Sequence, residues 1–152
     1  FQWIDIANLI NNILQQNSAV FIHKQLIPEL TGLDGIKVLT DRKWLHFCIE
    51  QLLSNAIKYS FPNSTINISW EMNSLRIADH GCGISMNDLP RIFDNGFTGK
   101  NGHQTTAATG MGLYLVKKVT EYLNFKVSIS SVQSQGTTAI LSFLPDNIRS
   151  SN

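Results

Sequence analysis

Two glycine pairs, each set among polar residues, are the groups in this sequence best suited to chemistry. The first lies in Asp79-His80-Gly81-Cys82-Gly83 and the second in Thr109-Gly110-Met111-Gly112-Leu113, directly before a run with helical spacing. Glycines before a helix expose backbone N–H groups, and a helix N-terminus carries partial positive charge, so the second pair suits phosphate oxygens. Because glycine pairs also serve ordinary turns, a plain helix start with Thr109 as the N-cap is the alternative.

The carboxylate of Asp79 follows the apolar run Leu75-Arg76-Ile77-Ala78 and precedes the first glycine turn. A carboxylate at a strand end inside a pocket can accept a hydrogen bond from an exocyclic amine, which would select adenine over guanine. We expect Gly81 and Gly83 to let the backbone approach a ring at points where a Cβ would collide. The alternative is an ordinary aspartate at a hairpin end, followed by two turn glycines.

A segment that carries Asn55 lies upstream of both glycine pairs. Mg²⁺ prefers hard oxygen ligands and is usually held by one or two protein groups together with phosphates and waters. The amide oxygen of Asn55 is therefore the candidate metal ligand. Lys58 shares the same helix face and can reach a phosphate, while the ring of Tyr59 could pack beside a base. The alternative is an amphipathic helix whose Asn and Lys are simply solvated.

In this order, with Phe93 and Phe97 between the glycine pairs, the motifs resemble the ATP-binding catalytic domain of bacterial sensor histidine kinases. That domain falls within the gyrase, Hsp90, histidine kinase and MutL ATPase superfamily, and the resemblance extends over nearly the whole chain. It implies protein-histidine kinase activity, ATP and Mg²⁺ as cofactors, and a Bergerat-type ATP-binding fold with a mobile lid. The motifs and the resemblance together imply these nucleotide-binding residues: Asn55, Lys58, Tyr59, Asp79, Gly81, Gly83, Ile84, Phe93, Thr98, Lys100, Gly110, Met111, Gly112, Leu113 and Thr137.

Gln51 departs from the family pattern. The position four residues before the helical Asn is another Asn in many members, and a Glu that acts as general base in gyrase-type ATPases. A glutamine can orient a water or a hydroxyl but cannot accept a proton at neutral pH. Glu50 is one residue out of register, about 100° around the helix, and remains a candidate assisting acceptor. The candidate catalytic residues are thus Asn55, Gln51 and Glu50, and the missing base favours phosphoryl transfer over hydrolysis.

Residues 95–109 form the one long polar stretch, in which Phe97 is the only large apolar residue. Loops of ~12–15 residues are uncommon inside compact domains and often serve as active-site lids, so we expect a mobile lid here. Its polar candidates are Thr98 and Lys100, with Lys100 the better phosphate ligand, whereas His103 reads as a solvated loop histidine.

The resemblance also implies partners that lie outside this chain. A histidine kinase phosphorylates a histidine of a separate helical dimerisation domain, and none of the four histidines here has the usual H-E-[hydrophobic]-[basic]-[ST]-P context. We therefore expect a dimerisation and phosphoacceptor domain within a homodimeric full-length protein, and a response regulator. The lid and the run Gly-Met-Gly-Leu-Tyr-Leu-Val-Lys-Lys look most like Gram-positive sensor kinases tied to antimicrobial-peptide transporters. An ABC transporter is thus a further expected partner, and the chain would be the cytoplasmic domain of a cell-membrane sensor kinase.

Three other functions compete with this hypothesis. A gyrase- or Hsp90-like ATP-driven clamp would require a general base at the position of Gln51 and a transducer domain downstream. A soluble serine kinase of the anti-sigma type shares the motifs and needs no membrane anchor. A degenerate fold kept for protein contacts is disfavoured by the intact Asn55, Asp79 and glycine pairs.

Composition limits the class of protein further. The 152 residues fit one domain, with 43% hydrophobic and 15% charged residues. Twelve Lys plus Arg against eleven Asp plus Glu give a net charge of +1, which argues against a polyanionic partner such as nucleic acid. The two cysteines form no metal-binding spacing with histidine. No apolar run reaches the ~20 residues of a membrane span, and the missing initial Met suggests a fragment.

Apolar residues at three- and four-residue spacing predict the helices that must position these groups. Asp5 and Asp41 are candidate N-caps of the first two helices, and Pro62 is expected to end the second. The expected inward faces are Ile6, Leu9, Ile10, Ile13 and Leu14 in the first, and Trp44, Leu45, Cys48, Leu52, Ala56 and Tyr59 in the second. A short helix is expected at 86–93 and a longer one at 113–123.

Alternating apolar and polar residues predict the strands. They are expected at 3–6, 21–30, 36–39, 66–70, 75–78, 126–132 and 137–144, with turns at 32–35, 72–74 and 135–136. This order predicts an α+β fold, a two-layer α/β sandwich with a mixed, mostly antiparallel sheet covered on one face by helices. We assign residues 1–146 to the ATP-binding domain and 147–152 to a flexible tail. Within it, Gly136-Thr137 resembles the late Gly-Thr of the family, whose hydroxyl commonly lies near the adenine.

Overall fold

The computed structural model describes residues 1–97 and 111–151. The predicted roles of Thr98, Lys100, His103 and Gly110 fall outside the described residues, as does the predicted lid beyond Phe97. Within the described ranges, no helix is long and apolar enough to cross a membrane.

The described residues form helices and strands in the predicted order, apart from three segments treated below. The helices are α1 (Ile6–Gln16), α2 (Ser18–Lys24), α3 (Arg42–Tyr59) and α4 (Gly112–Leu123). The strands are β1 (Gln2–Asp5), β2 (Ile27–Thr31), β3 (Ile36–Thr40), β4 (Thr65–Glu71), β5 (Ser74–Ala78), β6 (Lys126–Val132), β7 (Gly136–Ser142) and β8 (Ile148–Ser150).

The strands divide between two sheets rather than forming one. The larger sheet has the order β2-β4-β5-β7-β6, with β2 and β4 parallel and the other neighbours antiparallel. The smaller sheet is antiparallel, in the order β1-β3-β8. Along β4, Ile66 and Ile68 are buried while Asn67 and Ser69 stay partly exposed, so one face of the larger sheet lies in the core. Helices α3 and α4 pack on each other and against β5 and β6, which confirms the predicted α+β fold.

Helix α3 carries most of the candidate site and has a clear local origin. The side chain of Asp41 accepts a hydrogen bond from the Trp44 N–H at 3.0 Å, as its predicted capping role requires. The buried residues recur at helical spacing: Leu45, Cys48, Ile49, Leu52, Leu53, Ala56 and Ile57. Trp44 and Tyr59 do not belong to this inward face. Trp44 is 38% exposed, and Tyr59 is only partly buried at the end of the helix.

The prediction of a strand over 21–30 is wrong in its first half. Ser18–Lys24 forms α2, and Gln25 ends it in the left-handed conformation with φ of 59°. Phe21 is buried and holds this helix against the core. Tertiary contacts of this kind override the strand preference of an aromatic and β-branched run. The strands β2 and β3 are not a hairpin either, since they belong to different sheets.

Two other segments differ from expectation. The predicted helix at 86–93 reduces to one 3₁₀ turn, Leu89–Arg91, with Pro90 inside it. Proline cannot donate the backbone hydrogen bond that a longer helix would need. The flexible-tail prediction is wrong for Ile148–Ser150, because this segment forms β8 and pairs with β3.

Candidate functional site

Asp79 lies where β5 ends and is fixed by the neighbouring strand. Its side chain is 8% exposed. Its N–H donates to the Thr137 carbonyl at 2.8 Å, and the Thr137 N–H donates to the Asp79 Oδ1 at 3.2 Å. The aspartate and the late Gly-Thr motif, which are far apart in sequence, are therefore direct neighbours.

The buried Asp79 carboxylate is electrostatically unusual. Burial raises the pKa of Asp79 to about 6, although N–H groups of Thr137 and Gly81 and the charges of His80 and Lys24 oppose this rise. Desolvation disfavours the charged form of a carboxyl group, so hydrogen bonds from a ligand would stabilise the carboxylate. A shifted pKa of this kind at a buried position is typical of functional sites.

The glycines of the first pair are required by the chain's own backbone. A Cβ on Gly81 would strike the Tyr59 carbonyl oxygen, and Gly81 forms an isolated bridge with Ser60. Gly83 has φ of +68°, and a Cβ there would strike the Val132 carbonyl oxygen. These glycines are therefore required by the packing of the chain itself, whatever they leave open to a ring. They let residues 80–83, the glycine loop, contact both the end of α3 and the turn between β6 and β7.

The candidate residues on α3 lie near its C-terminal end. Asn55 is partly buried, and its amide has no hydrogen-bond partner within the described ranges. The Lys58 ammonium lies 5.7 Å from the Tyr59 ring centroid. Burial raises the pKa of the Tyr59 hydroxyl, with a smaller contribution from Cys82.

Gln51 faces the start of α4. A Cβ added at Gly112 would come within 2.6 Å of the Gln51 Oε1 atom, so the end of the Gln51 side chain lies against the start of α4 and would have to shift for a larger residue. Met111 occupies the N-cap position of α4, while Thr109, the cap of the alternative interpretation, lies outside the described residues. A methionine has no side-chain oxygen to accept from the first N–H groups of the helix, which suits an anion at this end.

The remaining described candidates have mainly packing roles. Phe93 is partly buried against the core, with the Lys117 ammonium 5.7 Å from its ring centroid, and Leu113 also packs there. The central carbon of the Arg91 guanidinium lies 4.7 Å from the centroid of the Phe97 ring. These contacts fix the two aromatic residues that flank the start of the predicted lid.

Glu50 is not brought to this group. Its carboxylate accepts a hydrogen bond from the Asn17 Nδ2 atom at 3.2 Å, at the junction of α1 and α2. The one-residue offset from Gln51 thus turns Glu50 toward another part of the molecule.

Two residues at the site escaped the sequence analysis. The Ser131 hydroxyl accepts from the Ile84 N–H at 2.8 Å and lies 3.0 Å from the Gly136 carbonyl oxygen and 2.8 Å from the Thr137 hydroxyl. The sequence feature that could have revealed Ser131 is its place on the same face of β6 as the buried Val127, where a polar residue is unexpected. Lys24 contacts the end of α3 from α2, and nothing in its sequence context indicates this.

The donor set fits a magnesium nucleotide better than a metal bound by protein alone. No group of three or more His, Cys, Asp or Glu side chains in residues 1–97 and 111–151 could hold a metal ion. The Asn55 amide, which has no hydrogen-bond partner among the described residues, matches a Mg²⁺ ion that takes its other ligands from phosphates and water. The Asp79 carboxylate is a buried acceptor of the kind that an exocyclic amine requires.

Comparison with known proteins gives consistent results. Residues 40–148 match the model of the histidine kinase-, DNA gyrase B- and HSP90-like ATPase family. The chain is 36% identical over 146 residues to the sensor histidine kinase YxdK of Bacillus subtilis, covering 93% of this chain and 45% of that protein. It is 42% identical over 151 residues to the sensor histidine kinase GraS of Staphylococcus epidermidis, covering 97% of this chain and 43% of that protein.

A solved structure supports the fold. The mycobacterial sensor histidine kinase MprB superposes with a TM-score of 0.78 at 19% identity, covering 98% of this chain and 97% of that one. The present chain spans about half the length of the curated relatives it matches. The chain therefore belongs to the histidine kinase-, DNA gyrase B- and HSP90-like ATPase family.

Proposed function

We propose that this domain binds ATP with Mg²⁺ and donates the γ-phosphoryl group to a histidine of a separate dimerisation domain in the same protein. The observation that carries the proposal is the buried Asp79 carboxylate, held by Thr137 beside the glycine loop. Its raised pKa means that hydrogen bonds from a bound base would stabilise its charged form.

Three of the described site residues have a specific task in this proposal. Asp79 accepts from the exocyclic amine of adenine. Gln51 and the start of α4, which are in contact, face the phosphates, where the helix N-terminus favours negative charge. Asn55 holds Mg²⁺ through its amide oxygen, and the ion when bound neutralises part of the phosphate charge.

The chemistry is a transfer between two nucleophiles. The bond between the γ-phosphorus and the β–γ bridging oxygen breaks, a bond from phosphorus to a histidine ring nitrogen forms, and ADP leaves. Positioning and electrostatics supply most of the catalysis in such reactions. The Gln51 amide cannot deprotonate water, and Glu50 is hydrogen-bonded to Asn17. The arrangement of the described residues therefore favours transfer to an imidazole, which needs no base, over hydrolysis.

Calorimetry on the domain itself tests nucleotide binding. We expect ATP and ADP to bind in a Mg²⁺-dependent manner and more tightly than GTP. Asp79→Asn should weaken binding by roughly 1–3 kcal/mol, the scale of a lost hydrogen bond to a charged group. Asn55→Ala should remove the Mg²⁺-dependent part of the affinity. Equal affinity for GTP would contradict the role of Asp79, and an unchanged response to Mg²⁺ would contradict that of Asn55.

Radiolabelled ATP tests the transfer. The domain alone should neither label itself nor hydrolyse ATP at ordinary enzyme rates of about 1 per second. Adding the phosphoacceptor domain should give an acid-labile phosphohistidine, whereas an acid-stable product would point to a serine kinase. Gln51→Glu should increase hydrolysis, because it places a base beside the start of α4, and Glu50→Gln is the matched control without effect. Rapid hydrolysis by the unmutated domain would favour a gyrase-like ATPase instead.

The wider assembly is part of the same proposal. The relatives YxdK and GraS are sensor histidine kinases about twice the length of this chain, which supports a homodimer with its own phosphoacceptor domain and a response regulator as partner. We place the domain on the cytoplasmic side of a membrane-anchored kinase and propose an antimicrobial-peptide ABC transporter as a further partner. Co-purification of the full-length protein from membranes tests both. The clamp and serine-kinase functions are not favoured, because these relatives are histidine kinases.

A further inference from the structure

Three polar residues form a row across one face of the larger sheet, at the point where β5 ends. Asp79 follows the buried Leu75 and Ile77 at two-residue spacing, so it lies on their face of the sheet. Its N–H and one carboxylate oxygen are hydrogen-bonded to Thr137 of β7. Thr137 is in turn the register partner of Ser131 in β6. The row therefore runs from Asp79 through Thr137 to Ser131.

The Ser131 hydroxyl makes three contacts, and it has one proton and two lone pairs with which to make them. The Ile84 N–H lies 2.8 Å away and can only donate, so it occupies one lone pair. The Gly136 carbonyl oxygen lies 3.0 Å away and can only accept, so it takes the Ser131 proton. One lone pair of Ser131 then remains for the Thr137 hydroxyl, which lies 2.8 Å away.

This count fixes the direction of the third hydrogen bond. Thr137 donates to Ser131, because the reverse direction would leave lone pairs of Ser131 and of the Gly136 carbonyl facing each other at 3.0 Å. Once its single proton points toward Ser131, the Thr137 hydroxyl has only lone pairs left for a ligand. The ionised Asp79 beside it is also an acceptor. These two neighbouring side chains can therefore both accept hydrogen bonds from a ligand.

We propose that Ser131 is a positioning residue that sets the base specificity of the nucleotide site, because it holds the Thr137 hydroxyl as an acceptor beside Asp79. The inference rests on the proposed function, since it concerns the side of the site that reads the base. Two acceptors suit an exocyclic amine, which has two N–H donors, and they repel the carbonyl oxygen that hypoxanthine and guanine carry in its place. Ser131 acts here through Thr137 and does not itself contact the base.

Substitutions at position 131 separate the hydroxyl from the size of the side chain. Ser131→Ala and Ser131→Val remove the hydroxyl, whereas Ser131→Thr retains it in a side chain of nearly the same shape as valine. Ser130→Ala, at the exposed neighbouring position of β6, is the matched control. Each protein would be titrated by calorimetry with ADP and with inosine diphosphate (IDP) in the presence of Mg²⁺. IDP carries a carbonyl oxygen in place of the amine and a proton on the adjacent ring nitrogen.

The expected result is a loss of discrimination between the two nucleotides. The unmutated domain should bind ADP more tightly than IDP. Without the Ser131 hydroxyl, the Thr137 proton is free to turn toward the carbonyl oxygen of hypoxanthine. The ratio of the two affinities should therefore fall about fivefold in Ser131→Ala and Ser131→Val, the scale of one hydrogen bond. Ser131→Thr and Ser130→Ala should keep the ratio of the unmutated domain.

A purely structural role of Ser131 would weaken the binding of both nucleotides equally. An unchanged ratio in the folded alanine and valine variants would therefore overturn the inference. An equal fall of the ratio in Ser131→Thr would also overturn it, since the hydroxyl would then be irrelevant. Failure of both the alanine and the valine variant to fold would overturn it as well, by showing that Ser131 serves stability as a whole.

A second measurement needs no nucleotide. Three-bond scalar couplings to the Thr137 methyl carbon report by NMR whether this side chain keeps one rotamer. We expect one rotamer in the unmutated domain and averaging in Ser131→Ala. If the unmutated domain failed to bind ADP at all, the proposed function would be lost, yet the couplings would still decide whether Ser131 holds the Thr137 hydroxyl. Averaged couplings in the unmutated domain would overturn the inference.

Discussion

The two ends of α3 are held by different kinds of contact. At the N-terminal end, Asp41 accepts from the N–H of Trp44, three residues along the chain. At the C-terminal end, Lys24 donates to carbonyls 33 and 34 residues away, and the glycine loop donates to another. Asn55 and Tyr59 lie at this second end. The difference suggests that local contacts stabilise the helix, whereas contacts between distant elements set the geometry of the site.

The surroundings of the two ends differ in the same way. An open cleft of about 670 Å³ beside the N-terminal end is lined by Arg42, Lys43 and His46, and it contains none of the motif residues. At the C-terminal end, the backbone of the glycine loop lies directly against the Tyr59 carbonyl. Substitutions at the C-terminal end should therefore affect both stability and nucleotide binding, and those at the N-terminal end stability alone.

The largest effect is expected for Gly81→Ala. The added Cβ would strike backbone atoms of Tyr59 and Ser60, which cannot move without disturbing the end of α3. We expect a loss of about 3 kcal/mol in the free energy of unfolding, at the upper end for overpacking, and a loss of ADP binding. Denaturant unfolding and calorimetry measure the two effects.

Gly96→Ala is the matched control for this substitution. Gly96 has φ of +80° but no atom near its Cβ position, so only the left-handed backbone should cost stability, about 1 kcal/mol. Equal losses for both variants would contradict the steric explanation at Gly81.

Stability and ADP affinity should depend on pH in opposite directions. Because the pKa of Asp79 is about 6 in the folded protein and ordinarily 3.8, the folded protein keeps a proton that the unfolded chain releases between these values. This contribution to stability is fully present below the lower value and is lost as pH rises through the higher one. ADP affinity should change in the opposite direction, since the base requires the carboxylate.

Thermal unfolding and ADP titration across this pH range measure both dependences. Asp79→Asn should flatten each of them, because an amide does not titrate. If the free energy of unfolding of the unmutated protein increased between these two pH values, and Asp79→Asn abolished that increase, the direction of the pKa shift of Asp79 would be wrong. The site residue is therefore expected to cost stability at neutral pH, as charged groups in functional sites commonly do.

The same difference between local and distant contacts decides which features the sequence predicts. The caps at Asp5 and Asp41, the alternation along β4 and the helical spacing of α3 depend on residues close in the chain, and all were predicted. The α+β fold and the family follow from them and from the motifs. The glycine pairs were recognised as a signature, although the structure shows that Gly81 serves the packing of α3.

What the sequence did not give depends on distant contacts. Phe21 has the composition of a strand residue, and only its burial on the core explains why it lies in α2. The pairing of β3 with β8 joins segments from opposite halves of the chain. Lys24 looks like any lysine at a helix end until its two carbonyl partners are seen. No local pattern encodes such partners.

A smaller effect is expected for Ser131→Ala, which removes a contact on the β6 side of the glycine loop. The Ile84 N–H would lose its acceptor, and an unpaired, partly buried donor costs about 1–2 kcal/mol. We also expect weaker ADP binding, because the Thr137 hydroxyl loses its partner. Ser128→Ala, on the exposed face of the same strand, should change stability by less than about 0.5 kcal/mol.

The smallest effect on function is expected at the N-terminal end of α3. Asp41→Ala removes the cap to Trp44 and should cost about 1 kcal/mol in the free energy of unfolding, while ADP affinity stays at the parent value. Asp5→Ala removes the equivalent cap of α1, where Asp5 accepts from the Asn8 N–H at 3.0 Å, and should cost a similar amount. Denaturant unfolding measures the stability of each variant, and calorimetry measures its affinity for ADP. If Asp41→Ala weakened ADP binding more than Asp5→Ala did, the two ends of α3 would be coupled, and the division between local stability and site geometry would be wrong.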